Sequence, residues 1–304
     1  MADVVTVGVD GTPESTAAVH WAAREAQERT ASLRIVHVAT GESAVDQVVV
    51  ADDTAQQYGE RIVRDAAAQV AEHFPALTVR SEVIAGEPGE TLTELSRTSG
   101  LLVIGSRGFS SFRGFLVGSA ALPTVAHAWC PVVLVRATES GPGPSEGGAA
   151  GAAPSGKATI EQGGAVVVGV DIRHPCEDLL TFAFETARRW SAPLKVLHGW
   201  EPPPYYGSRP VPLATMALED FLAERAAKLA EMIQPWRDEH PSVTVDARAV
   251  LQQAVPLLTT ESEDASLTVV GRRQRSSGLG THVGPVAHGV MHHTRTPVAV
   301  VPHA

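Results

Sequence analysis

The chain has 304 residues, roughly twice the length of a common single domain, so two domains are expected. Hydrophobic residues make up 44% and charged residues 19%, enough to build packed cores and too apolar for general disorder. Lys and Arg number 24 against 34 Asp and Glu, and the net charge of −10 argues against a protein whose main work is gripping nucleic-acid phosphates.

In chain order, the continuous apolar run at 4–9 suits a strand covered on both faces. Residues 13–30 carry helical spacing at Ala17, Trp21, Ala22 and Ala26, opening at Pro13, a favoured first helical position. A strand near 33–38, a helix within 51–73, a strand at 77–84 and a helix near 88–98 follow. The segment closes with a strand at 101–104, a glycine-rich loop at 105–118, a helix to about 128 and a strand at 132–136. No apolar run approaches the roughly 20 residues that cross a bilayer. The opening MADVVTVGVDG carries an acid where a signal peptide wants a base. Cys130 and Cys176 make no CxxC and no disulfide framework. A soluble, reduced, cytoplasmic chain with no membrane and no nucleic-acid partner is expected.

The pattern then repeats. With an offset of 161, Gly8 meets Gly169, Asp10 meets Asp171, Leu33 meets Leu194 and His37 meets His198. With an offset of 166, 101-LLVIGSRG meets 267-LTVVGRRQ, Gly118 meets Gly284 and 131-PVVLV meets 297-PVAVV. An ordered series of this kind marks a duplicated domain. The expected division is 1–137 and 165–304, joined by a flexible Gly/Pro/Ser/Ala linker at 138–164. Within the linker, 151-GAAPSGKA imitates a phosphate loop but lacks the strand, the helix and the hydroxyl that such a loop needs. Alternating strands and helices imply, for each copy, a parallel sheet with right-handed crossovers and helices on both faces, and the expected form is a doubly wound five-stranded sheet of order 3-2-1-4-5.

Ligands of such sheets bind beyond the carboxyl ends of the strands, where the winding order reverses. Asp10 follows strand 1, and 105-GSRGFSSFRGFLVGS follows strand 4, so both are aimed at one crevice. Gly105, Gly108 and Gly118 let backbone approach a ligand, and Gly118 with Ser119 opens a helix whose free N–H groups favour an anion. Ser119 adds a hydroxyl, and Arg107 or Arg113 adds charge. This is a phosphate cradle without a Walker lysine, with Asp10 at the nucleoside end. The bland alternative is that the glycines turn the chain and Asp10 caps the helix.

These residues, with 7-VGVDGTPES, 36-VHV, 103-VIGSRG, 117-VGSAA and 130-CPVVLV, resemble the universal stress protein family in its ATP-binding, tandem-domain form. The resemblance implies a Rossmann-like, adenine nucleotide alpha-hydrolase-like fold and ATP in the crevice, with magnesium reaching it through the phosphates. Asp10 and the backbone at Val38 would face adenine and ribose, Gly105 and Gly108 the ribose and phosphates, and Gly118 and Ser119 the phosphates. It also implies edge-to-edge pairing of domains through the closing strand at 132–136, which a tandem chain can satisfy internally, and a homodimer through edge strands near 132–136 and 298–301.

Copy two departs from the pattern. Gln274 stands where Gly108 does and Pro285 where Ser119 does, removing two phosphate donors. Asp171, Gly271 and Gly284 form the weaker second set, and Arg272, Arg273 and Arg275 either meet an anion or stay solvated. His288 and His292 have the i, i+4 spacing of metal ligands, but no Cys or carboxylate completes a set, and no metal is expected. The stretch 202-PPPYYGSRPVP is a long connection, with Tyr205 and Tyr206 able to stack on a base or merely fill the loop. No GxSxG elbow or second catalytic carboxylate is visible. The expected function is an ATP-binding regulatory protein of stress physiology with no catalytic residues. The alternatives are a slow ATPase or phosphotransfer enzyme, and a dimerisation module that binds no nucleotide.

Overall fold

The computed structural model describes residues 4–40, 50–106, 119–137, 164–174, 176–201, 214–274 and 283–303, with backbone alone at 50–54 and 214–218. Gly108, Gly118, Arg107, Arg113, Arg275, Tyr205, Tyr206 and all of the expected linker except Gly164 lie outside these residues. The chain divides into two units, Met1–Ile160 and Glu161–Ala304.

The first unit contains β1 (Val4–Gly8), α1 (Pro13–Glu28), β2 (Ser32–Ala39), α2 (Val50–His73) and β3 (Val79–Ala85). It continues with α3 (Pro88–Leu95), β4 (Leu101–Gly105), α4 (Ala121–His127) and β5 (Val132–Val135). Its strands are parallel, as the alternation of elements predicts, and take the expected order β3-β2-β1-β4-β5. Helices α1 and α2 pack together on one face and α3 and α4 on the other. Covered on both sides, β1 and β4 bury successive residues: Val5, Val7, Leu101, Leu102 and Val103 are fully inaccessible. Each such side chain contributes about 1.5–3 kcal/mol relative to exposure. Where a polar group enters this core it is paired, as Thr6 Oγ1 is with Ser99 Oγ at 2.7 Å.

The second unit repeats the plan with β6 (Ala165–Gly169), α5 (Glu177–Trp190), β7 (Leu194–Trp200), α6 (Ala214–Glu239) and β8 (Val245–Leu251). It ends with α7 (Ala254–Glu261), β9 (Ala265–Arg273), α8 (Pro285–His293) and β10 (Val298–His303). Its strand order is β8-β7-β6-β9-β10, all parallel.

The duplication reaches the backbone torsions. Thr30 (φ 54°) and Ser191 (φ 50°), 161 residues apart, end α1 and α5 in the left-handed conformation. In each, the next residue bonds back across the turn, Ala31 N to Ala26 O at 2.8 Å and Ala192 N to Ala187 O at 2.9 Å, the pattern of a Schellman stop.

Candidate functional site: the crevice at the strand ends

Parallel pairing of β1 with β4, Gly8 opposite Ile104, brings both carboxyl ends to one edge of the first unit's sheet. Asp10 leaves β1 two residues later, exposed, and accepts from the backbone N–H of Thr12 at 3.0 Å and its hydroxyl at 2.6 Å. Thr12 in turn caps α1 by accepting from Ser15 N at 3.2 Å. The helix cap predicted as the bland role of Asp10 therefore belongs to Thr12, and Asp10 orients the capping residue. Val38 lies near the carboxyl end of β2, half-buried, paired with Ile84. Its neighbour His37 turns to the other face, where its Nδ1 donates to Val9 O at 2.8 Å and its ring occupies the space a Cβ at Gly59 would need.

A Cβ on Gly105 would lie 2.6–2.8 Å from the backbone of Glu14 and Ser15, so this glycine makes room for the first turn of α1. One local expectation is corrected: Ser119 does not open a helix but forms a turn with Ala120, and α4 begins at Ala121 with no side-chain cap.

In the second unit the crevice is an open cavity of about 410 Å³, and Asp171, Gly271 and Gly284 all line it. Gly284 has nothing within 4 Å of the position a Cβ would take. Gly271 is covered instead, with His303 Nε2 2.6 Å from its Cβ position. Pro285 does remove an N–H, as the sequence predicts, but as the first residue of α8 it removes one that the helix leaves unpaired in any case.

Sequence reasoning missed Arg173 and His174, which hold Asp171 at this cavity. Arg173 grips Asp171 with a fork, Nε to Oδ1 and Nη2 to Oδ2 at 3.0 Å each, adds its backbone N–H at 3.1 Å, and His174 Nδ1 joins Oδ2 at 3.0 Å. Burial opposes ionisation of Asp171, but these hydrogen bonds outweigh it and hold the carboxyl well below the usual range. The available signal was that Arg173 replaces Thr12 in the 161-residue register. The arginines expected on a loop also divide. Arg272 is buried on β9, where desolvation lowers its pKa, and Arg273 ends β9 at the cavity wall.

Cys176 lines the cavity too, but burial, with Asp171 and Glu177 nearby, pushes its thiol up to about 11, so it is a poor nucleophile. Cys130 is buried, two residues ahead of β5. The His288 and His292 rings lie 4.4 Å apart, and among the described residues no group of three His, Cys, Asp or Glu side chains is placed to hold a metal ion. None of the described helices is long and apolar enough to cross a membrane.

The protein-family model for the universal stress protein family matches residues 1–136 and again 164–302. The chain belongs to this family. Among curated relatives, universal stress protein Rv2623 of Mycobacterium tuberculosis is 31% identical over 97% of this chain and 95% of its own. Universal stress protein Rv2005c of the same organism is 30% identical over 97% and 96%. The crystal structure of a universal stress protein from Archaeoglobus fulgidus shares the fold over the full length of both chains, with a TM-score of 0.67 at 15% identity. The tandem arrangement is therefore shared with relatives of the same length.

Proposed function

We propose that this universal stress protein binds ATP in the crevice of its first unit and acts as a nucleotide-dependent regulator, not as a catalyst. The observation that carries the reading is Asp10, an exposed carboxylate held by Thr12 at the carboxyl edge where β1 adjoins β4. A carboxylate anchored there suits ribose hydroxyls, and the β2 backbone at Val38 offers amide groups at the same edge for an adenine. Gly118 and Ser119 would receive the phosphates, and magnesium would arrive with them. Occupancy itself, through domain geometry or partner choice, is then the output.

Acid treatment of the purified protein followed by nucleotide chromatography should release ATP. Added ATP should raise the melting temperature, and Asp10→Ala or Gly118→Ala should abolish the rise. An unchanged melting curve overturns the reading. Turnover with magnesium or manganese that depends on Ser119 would replace it with the ATPase alternative.

A further inference from the structure

Helix α8 carries His288 and His292 one turn apart, and their imidazole rings lie with centroids 4.4 Å apart, tilted by 51°. Ala287, Val290 and Met291 bury the core-facing side of the same helix. Both histidines therefore stand on its other side, His288 exposed and His292 half-buried. His293 follows directly but points about 100° further round the helix, away from the pair. Neither ring of the pair lines the cavity of the second unit, which among the described residues meets α8 only at its opening turn, Pro285 to Ala287.

The fold itself asks for neither histidine. In the 166-residue register the first unit carries Leu122 and Ala126 at these positions, on its own helix α4. The duplicate thus builds the same helix with two aliphatic side chains, and the imidazoles of α8 are an addition to the scaffold. Two imidazoles at i, i+4 on one helix face can reach a single metal ion together. His292 lies in the last turn of α8, near the end of the helix where the backbone dipole favours positive charge. Among the described residues no third His, Cys, Asp or Glu completes a set, which excludes neither water nor an open position but does not fit a closed structural zinc site.

We propose that His288 and His292 form a two-point chelate, with its remaining positions open to water, for a divalent transition-metal ion, Cu²⁺ in preference to Ni²⁺ or Zn²⁺. Imidazole suits all three ions, and the general order of divalent affinities puts Cu²⁺ first. Mg²⁺ takes oxygen ligands and is refused here. The pair stands apart from the crevice of the first unit, so this site and the nucleotide reading can each fail alone.

The test is calorimetry of the full chain, freed of nucleotide, with Cu²⁺, Ni²⁺, Zn²⁺ and Mg²⁺ as separate probes in a buffer that does not bind metal. Cu²⁺ should bind tightest, at one high-affinity site per chain, Ni²⁺ and Zn²⁺ more weakly at the same site, and Mg²⁺ not at all. Paramagnetic resonance of the Cu²⁺ complex should show two nitrogen ligands. His288→Leu and His292→Ala, which install the first unit's residues, should each weaken Cu²⁺ binding roughly tenfold or more, since even the outer partners of a metal ligand act on that scale. His288→Gln, which keeps a polar surface side chain, should weaken it in the same way. Both positions face away from the core, so the variants should melt close to the parent. Saturating Cu²⁺ should raise the melting temperature of the parent and not of the double variant. Binding that survives the double substitution unchanged, or a Cu²⁺ spectrum with fewer than two nitrogens, overturns the proposal.

Discussion

His198 Nδ1 lies 3.0 Å from the carbonyl oxygen of Val170, and His37 makes the same bond to Val9 at 2.8 Å, each across 28 residues. A carbonyl only accepts, so each Nδ1 carries the hydrogen and the tautomer is set. Each bond joins the second strand of its unit to the residue just before the strand-end aspartate. It thereby positions Asp10 in one unit and Asp171 in the other.

Removing either ring leaves that carbonyl without its side-chain donor and opens a void. His198→Ala and His37→Ala should each destabilise by about 1–3 kcal/mol, read as a lower denaturant midpoint with an unchanged slope. His198 is 6% exposed, so its loss should be the costlier of the two.

Thr30 and Ser191 sit in the left-handed region, which disfavours any side chain and a β-branched one most. Thr30→Gly should stabilise by up to about 1 kcal/mol, with relief of strain exceeding the added freedom of the unfolded chain. Ser191→Gly should give less. Equilibrium unfolding of the two variants checks the order.

Gly105 and Gly284 provide a matched pair. A Cβ at Gly105 meets backbone that cannot swing aside, so Gly105→Ala should cost about 1–3 kcal/mol and disturb the start of α1. At Gly284 the space is open and φ is −67°, so Gly284→Ala should leave the melting temperature nearly unchanged. Thermal melts of the two variants decide the point.

Acid should weaken the second unit. Asp171 titrates below its unfolded value of 3.8, and Glu261, held first by Arg248 and then by Lys195, titrates below 4.5. Each therefore adds stability that is fully present above its unfolded pKa and is lost as pH falls below it. Unfolding followed from pH 6 to pH 2 should show a steeper loss in the parent than in Asp171→Asn. The difference will be small, since Asp171 is 38% exposed and water screens the pair. His20 acts in a higher window. Burial, and then His73, lowers its pKa, so the chain should lose stability as pH falls below 6.5 and the unfolded state takes up the proton first.

The parallel α/β plan and the duplication were legible in the sequence because both rest on periodicity and spacing, and the family was legible in short motifs such as 7-VGVDGTPES and 103-VIGSRG. Apolar runs such as 4–9 leave a strand little choice but burial on both faces. The offset that pairs Gly8 with Gly169 and His37 with His198 carries the topology from one half to the other. The site was legible only in part. Asp171, Gly271 and Gly284 do converge on one cavity, yet what each does there depends on neighbours far away in sequence. Nothing local tells that Gly105 yields its space to the first turn of α1, or that His303 covers Gly271. Arg272 and Arg273 are adjacent, yet one is buried while the other faces a cavity, because successive side chains of a strand point to opposite faces. Periodicity is a property of one element and survives in a string of letters. Charge balance and free space in a crevice are sums over several elements, and only their packing sets them.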